Sequence, residues 1–267
     1  MINLTTRATK FKIAALAIAF FGLVVGTYAF LIEPYRIEVS HHHVHANLQA
    51  PLKIAHLTDL HSYGIGRREQ KLLDILDNEL PDLIVITGDL VDTEAGYAGC
   101  HEVLKRMHAP LGVWVVHGNH EVWWPNQNEQ TFYESAGAQL LVNSSQRAIA
   151  NVWLVGLDDS YAGAPDLERA LSGVPSTAYR IALFHSPAYF DRIAGKCDLA
   201  LAGHSHGGQI RLPVIGPVWL PPETGDYVKG WFEKDNSRMY VSRGIGTSIL
   251  SARCLCRPEI AIVTVGE

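Results

Sequence analysis

Leu52-Lys53-Ile54-Ala55-His56-Leu57-Thr58-Asp59-Leu60-His61 reads as a short, mostly apolar strand that stops at a polar tip. The same figure then recurs. Arg67 to Leu80 sets Leu72, Leu73, Ile75, Leu76 and Leu80 on one helical stripe, and Pro81 closes it. Leu83 to Thr87 is β-branched and apolar, a buried strand ending in Gly88-Asp89. A second helical stretch, Tyr97 to Met107, leads to Pro110. Gly112 to Val116 is the next strand, tipped by His117-Gly118-Asn119-His120-Glu121. Strand, polar tip, helix and strand in alternation predict an α/β sheet with crossover connections. In such sheets ligands collect at the carboxyl ends of the strands.

Further along, a polar helix (Asn128 to Ala136) precedes strands at Gln139 to Val142, Arg147 to Ala150 and Val152 to Leu157, the last followed by Asp158-Asp159. Asp166 to Leu171 is a weak helix. Ile181 to Phe184 is a strand with the tip His185-Ser186-Pro187. Leu199 to Ala202 delivers Gly203-His204-Ser205-His206-Gly207-Gly208-Gln209 to a rim. Two histidines one residue apart share a face of an extended backbone. The glycines around them let the chain turn sharply beside an ion or a phosphate. Strands at Met239 to Ser242 and Ile260 to Val265 complete the pattern.

With 267 residues, 48% of them hydrophobic, the chain suits one globular domain plus an additional segment. A net charge of −5 argues against a nucleic-acid partner, whose binding face would be basic. The cysteines Cys100, Cys197, Cys254 and Cys256 form no Cys-x-x-Cys pair, so buried or free thiols are expected. Residues 1–12 carry Arg7, Lys10 and Lys12 without an acid, and residues 13–32 are uncharged. At ~1.5 Å per residue that run spans about 30 Å, enough for a single-pass transmembrane anchor. Thr27-Tyr28-Ala29 also offers a signal-peptidase-like site, but the apolar run continues past it. The flanking charges predict residues 1–12 in the cytoplasm and the body on the extracytoplasmic side. Residues 33–51, with His41-His42-His43-Val44-His45, are expected to form a histidine-rich tether to a domain at 52–267.

Collected in order, the tips offer Asp59 and His61, Asp89, Asn119 and His120, His185, then His204 and His206. Carboxylate, imidazole and amide oxygen without thiolate suit divalent Mn, Fe, Zn or Co. A closed structural zinc site would more commonly use cysteine, so an open catalytic pair of ions fits better. Each residue has a structural alternative: Asp59 a turn cap, Asp89 an N-cap, Asn119 a left-handed turn, His185 a core histidine bonded to backbone.

The five ordered motifs Asp-x-His (Asp59, His61), Gly-Asp (Gly88, Asp89), Gly-Asn-His-Glu (Gly118 to Glu121), a lone strand-end His185 and Gly-His-x-His (Gly203 to His206) resemble those of calcineurin-like metallophosphoesterases. The resemblance covers Leu52 to the end. The Gly-Gly-Gln extension and Tyr240-Val241-Ser242-Arg243-Gly244-Ile245-Gly246-Thr247-Ser248 are similar to the membrane-anchored branch of that family. The resemblance implies a four-layer αββα sandwich of two mixed sheets. It implies one ion on Asp59, His61, Asp89 and His206, and a second on Asp89, Asn119, His185 and His204, with Asp89 bridging. His120 would face the phosphate. Hydrolysis of a phosphodiester or pyrophosphate, by in-line attack of a bridging hydroxide on phosphorus, needs no protein nucleophile. Alternatives are a phosphomonoesterase, a two-metal hydrolase of amides or esters, and a metal-binding scaffold of the same fold without activity.

Arg243 could reach a phosphate or hold a structural salt bridge. His117 alternates away from the metal face, and Asp158 and Asp159 suit turn or orienting roles. Pro213 to Pro222 is too apolar for a free loop. With Trp123-Trp124 it is expected either to pack within the domain or to form an apolar wall near the site. The latter suits a domain lying against the bilayer and a lipid-linked or amphipathic phosphoester; the resemblance to the membrane-anchored branch implies a substrate such as UDP-2,3-diacylglucosamine, cleaved in lipid A synthesis.

Overall fold

A computed structural model describes residues 4–266. Helix α1 (Leu4–Thr27) runs on through a π turn (Tyr28–Ile32) and a short 3-10 turn (Glu33–Tyr35) into the body. The strands are β1 (Glu38–Val44), β2 (Leu52–Leu57), β3 (Leu83–Thr87), β4 (Val113–Val116), β5 (Ala138–Leu140), β6 (Ser144–Ile149), β7 (Val152–Gly156), β8 (Tyr179–Leu183), β9 (Leu199–Ala202), β10 (Arg211–Leu212), β11 (Gly216–Pro217), β12 (Gly230–Lys234), β13 (Ser237–Val241) and β14 (Glu259–Val265). One six-stranded sheet has the order β1-β14-β2-β3-β4-β5, and the other β12-β13-β9-β8-β7-β6. Both are mixed: β2, β3, β4 and β5 run parallel, as do β7, β8, β9 and β13, while β14 and β12 are antiparallel to their neighbours β2 and β13.

Alternation along each strand divides the apolar residues among three cores. Leu52, Ile54, Leu83 and Val85 meet Leu154, Ile181, Leu183 and Leu201 between the sheets. Ala55, Leu57, Ile84 and Ile86 face the other way, onto α2 (Arg67–Glu79) and α3 (Tyr97–Leu104) through Leu72, Leu76 and Val103. Ala200, Ala202 and Met239 face outward onto Phe190 and Ile193. Helices, sheet, sheet and helices thus form the expected four layers. In α2 the spacing of Leu72, Leu73 and Leu76 gives one buried stripe, and each such side chain contributes about 1.5–3 kcal/mol on burial. Glu69 accepts from the Gly66 N–H at its start, and Leu80 at φ +49 followed by Pro81 ends it.

The tether expected at 33–51 is corrected. Residues Glu38–Val44 are β1, a parallel edge strand on β14. His42 packs its ring on Tyr240 (centroids 4.3 Å apart), and His41 bonds Glu79 on the outer face. An edge strand with Ser40 and His42 on the face of buried Val44 carries little apolar alternation, which is why it reads as a linker. The anchor boundary also shifts: the helix starts by Leu4, and residues 1–3 of the expected cytoplasmic segment lie outside the described residues. From Thr9 to Tyr35 this helical segment is long and apolar enough to cross a membrane.

Candidate metal centre

The carboxyl ends of β2, β3 and β4 in one sheet and of β8 and β9 in the other open on the same edge. Hydrogen bonds stitch the five tips together. The Asp59 and His61 N–H groups donate to the Gly88 and Asp89 carbonyls, and the Gly203 N–H to the His185 carbonyl (all 3.0 Å). The His204 N–H donates to Asp59 Oδ2 (3.1 Å), crossing from one sheet to the other. Asp59, His61, Asp89, His204 and His206 all have φ between +42° and +66°, a region that costs a side-chain-bearing residue about 1–3 kcal/mol. Five of the residues that the sequence marks as candidate ligands are therefore held in strained backbone.

Three overlapping groups of donors result: Asp59, His61 and His206; His61, Asp89 and His120; Asp89, His185 and His204. Asp89 Oδ2 lies 3.2 Å from His185 Nε2 and 3.6 Å from His61 Nε2. His206 Nε2 is 3.1 Å from Asp59 Oδ1, and His204 Nδ1 is 3.1 Å from His185 Nε2. The remaining ring nitrogens have partners that orient them. His185 Nδ1 donates to the Thr87 carbonyl (2.7 Å) and His204 Nε2 to the Pro222 carbonyl (2.7 Å), while His61 Nδ1 lies 3.1 Å from Asp92 Oδ1, a charge contact in geometry that makes no hydrogen bond. Each of these three imidazoles thus turns its other nitrogen inward, as metal-ligating histidines do.

The set fits divalent metal. Asn119 Oδ1 is buried without a hydrogen-bond donor, and Asp59 Oδ1 has only the imidazoles of His206 and His185 before it, in geometry that makes no hydrogen bond. Buried acceptors in native folds are rarely left so. Burial opposes ionisation of Asp59 and Asp89. The imidazoles of His206 and His185 around Asp59, and of His185, His120 and His61 around Asp89, nevertheless hold both carboxyls below the usual range. Burial pushes His206 down to about 4 against the pull of Asp59, so the ring is neutral near pH 7 and has a lone pair to offer a cation. His185 is raised well above its ordinary value: burial lowers it, but Asp89 outweighs burial.

Sequence reasoning missed Asp92, three residues after Asp89. Besides orienting His61, its carbonyl accepts from His120 Nδ1 (2.8 Å), which turns His120 Nε2 toward Asp89 (3.9 Å). Glu121 stands out in the sequence only as part of a motif. Its buried carboxylate accepts from the N–H groups of Gly118, Asp89 and Leu90 (each 2.8 Å) and so fixes the Asp89 turn. Arg253 was also missed. Fully buried, it donates to the carbonyls of Gly246, Arg243 and Cys256 behind His206.

Asp59, His61, Asp89, Asn119, His120, His185, His204 and His206 come together as expected. Arg243 does not join them: its guanidinium is committed to Glu259 (3.0 Å) and Glu38 (3.4 Å), so the salt-bridge alternative holds. His117 lies outside the cluster, between Glu129 (2.7 Å) and Asp158 (3.1 Å). Asp159 caps a turn through Tyr161 and Ala162 and accepts from Ser186 Oγ. Above the cluster is a cleft of about 540 Å³, walled by Trp123, Trp124, Tyr161, Trp219 and Ile249.

Sheets, strand-end ligands and cleft define a metal-dependent hydrolase built on an αββα sandwich. The calcineurin-like phosphoesterase family matches residues 52–208, and the chain belongs to that family: it is a metal-dependent phosphoesterase. It is 30% identical over 253 residues to the uncharacterized metallophosphoesterase YkuE of Bacillus subtilis (strain 168), covering 89% of this chain and 88% of that one. It is 31% identical over 230 residues to phosphodiesterase YaeI of Escherichia coli (strain K12), covering 80% and 82%. The crystal structure of TT1561 of Thermus thermophilus shares the fold at a TM-score of 0.50 and 14% identity, over 73% of this chain and 91% of that one.

Proposed function

We propose that the chain is a membrane-anchored phosphodiesterase with two divalent ions, acting on phosphodiester or pyrophosphate bonds. Asp59, His61, Asp89 and His206 would hold one ion, and Asp89, Asn119, His185 and His204 the other. The observation that supports this is Asp89 Oδ2, a single oxygen within 3.6 Å of nitrogens from both sets. When bound, such ions supply Lewis acidity at phosphoryl oxygens and lower the pKa of water toward neutrality. His120, held through Nδ1 by the Asp92 carbonyl, presents Nε2 to the cleft. Protonated there, it stabilises charge growing on a phosphoryl oxygen or gives its proton to the leaving oxygen.

The aromatic and aliphatic walls of the cleft suit a lipid-linked or amphipathic phosphoester, such as UDP-2,3-diacylglucosamine. Retention of α1 is supported by Ala29, which is buried and accepts from the Arg253 N–H (2.9 Å), so the helix end is bonded into the domain. The positive flank favours an orientation with the domain outside the cytoplasm.

The test is metal analysis of the purified full chain with a panel of phosphomonoesters, diesters and nucleotide-sugar pyrophosphates. Two metal equivalents per chain are expected, with a preference for diesters or pyrophosphates that chelation abolishes. A metal-loaded chain inactive on the whole panel would overturn the proposal. Equal rates on a soluble diester and a lipid pyrophosphate in detergent would remove the lipid-linked substrate alone.

A further inference from the structure

Two loops whose exposed side chains carry no charge, and the exit of α1, distant in sequence, form one hydrogen-bonded unit beside the cleft. The loop from Leu212 to Trp219 exposes Val214, Ile215 and Trp219, and the segment after Ser248 exposes Ile249, Leu250 and Leu255. Val214 is fully exposed and Ile249 is 85% exposed, yet both hold positive φ (+68° and +64°). That conformation is unfavourable for β-branched residues. Strain that projects two apolar side chains into solvent points to an occupant outside the chain.

Gln209 couples the two loops. Its Nε2 donates to the Ser248 (3.1 Å) and Leu250 (2.8 Å) carbonyls, and its Oε1 accepts from the Ser248 N–H (2.9 Å). The second loop is fastened to α1 in turn. Arg253 N–H donates to the Ala29 carbonyl, and the buried Glu33 carboxylate accepts from the N–H groups of Leu255 (3.0 Å) and Cys256 (2.5 Å). Phe30, Leu31 and Ile32 are exposed on that same exit turn. No flexible linker separates the apolar helix from the patch.

We infer that loops 212–219 and 249–255 are a membrane-docking surface, seated on the bilayer that α1 spans, with the metal cleft opening at headgroup level. The occupant follows from continuity. A helix bonded at Ala29 and Glu33 fixes the height of the patch relative to the bilayer, and a charge-free surface carrying a tryptophan suits the interface. Trp219 and Ile249 also line the cleft, so seating the loops brings its mouth to the lipid surface. The inference rests on α1 being a retained anchor; the metal chemistry can stand or fall separately.

The test uses the full chain in nanodiscs containing lipids brominated on their acyl chains, the Trp219 emission being the difference between wild type and Trp219→Phe. More than half of that component should be quenched by the brominated lipid, and little by aqueous acrylamide. Val214→Asp/Ile215→Asp should relieve the quenching at least two-fold while hydrolysis of a soluble diester stays within two-fold of wild type. Trp219 emission quenched by acrylamide and untouched by brominated lipid would assign the patch to water or a protein partner and overturn the inference. Because soluble-diester hydrolysis is read separately, its absence would count against the phosphodiesterase proposal and not against docking.

Discussion

The Nε2 atoms of His61 and His206 lie 3.3 Å apart, although the two residues are 145 positions apart in the chain. Their rings stack with centroids 5.1 Å apart. Two imidazole nitrogens so placed are best reconciled by a shared cation. His206→Ala should therefore lose one metal equivalent and lower turnover by more than about 100-fold, beyond the range for an outer partner. Metal content by plasma emission and turnover on the same sample decide it, and two ions retained in the variant would contradict the assignment.

Asp92 orients without being a ligand in the proposed set. Its carboxylate faces His61 Nδ1 at 3.1 Å, and that contact helps to hold the carboxyl below its ordinary range. Asp92→Ala should weaken metal affinity about 10–100-fold, as loss of such partners does. Competition with a chelator measures it. Asp92→Asn, which keeps an oxygen, should lie between the two.

His120 has a different signature. It approaches Asp89 only at 3.9 Å, and its other nitrogen is held by backbone. His120→Ala should keep both metals and lose about 10²–10⁴-fold in turnover, the range for a positioned acid or base. A variant of normal activity would remove its catalytic role.

These expectations were legible to different degrees. Leu83 to Thr87 reads as a strand because five consecutive buried residues leave no other period, and the structure has β3 at those residues. The clustered candidate ligands were legible because each follows such a strand. Asp92 was not, since a carboxylate in a tip looks like any turn acid until His61 is seen beside it. Arg243 next to Gly244 looks like a phosphate-binding tip, and only the fold brings Glu259, 16 positions on, and Glu38, 205 positions back, to its guanidinium. β1 escaped because parallel pairing with the last strand of the domain leaves no local mark.

Gly118 is required for space. A Cβ there would overlap the Asp89 carboxylate and its backbone nitrogen. Gly118→Ala should therefore displace Asp89, the one residue in both proposed ligand sets. Loss of both ions and at least a 100-fold fall in activity are expected, with the thermal transition lowered by only a few degrees. A fully metallated, active Gly118→Ala enzyme would show that Asp89 can move without consequence.

His117 joins the two halves of the sandwich, bonding Glu129 of its own half and Asp158 at the end of β7. Burial lowers its pKa, but hydrogen bonds to Asp158 and Glu129 outweigh burial and raise it to about 10. A folded value above the ordinary 6.5 means that the protonated ring stabilises the fold. That contribution is complete below pH 6.5 and is lost as pH rises toward 10. The urea midpoint of the wild type should consequently fall across that window. His117→Gln should be less stable at pH 6 by about 1.5–3 kcal/mol, the scale of a hydrogen bond to a charged group. The difference between the two proteins should narrow as pH approaches 10. Parallel curves with a constant gap would mean that the ring is neutral throughout and that its role there is one of shape alone.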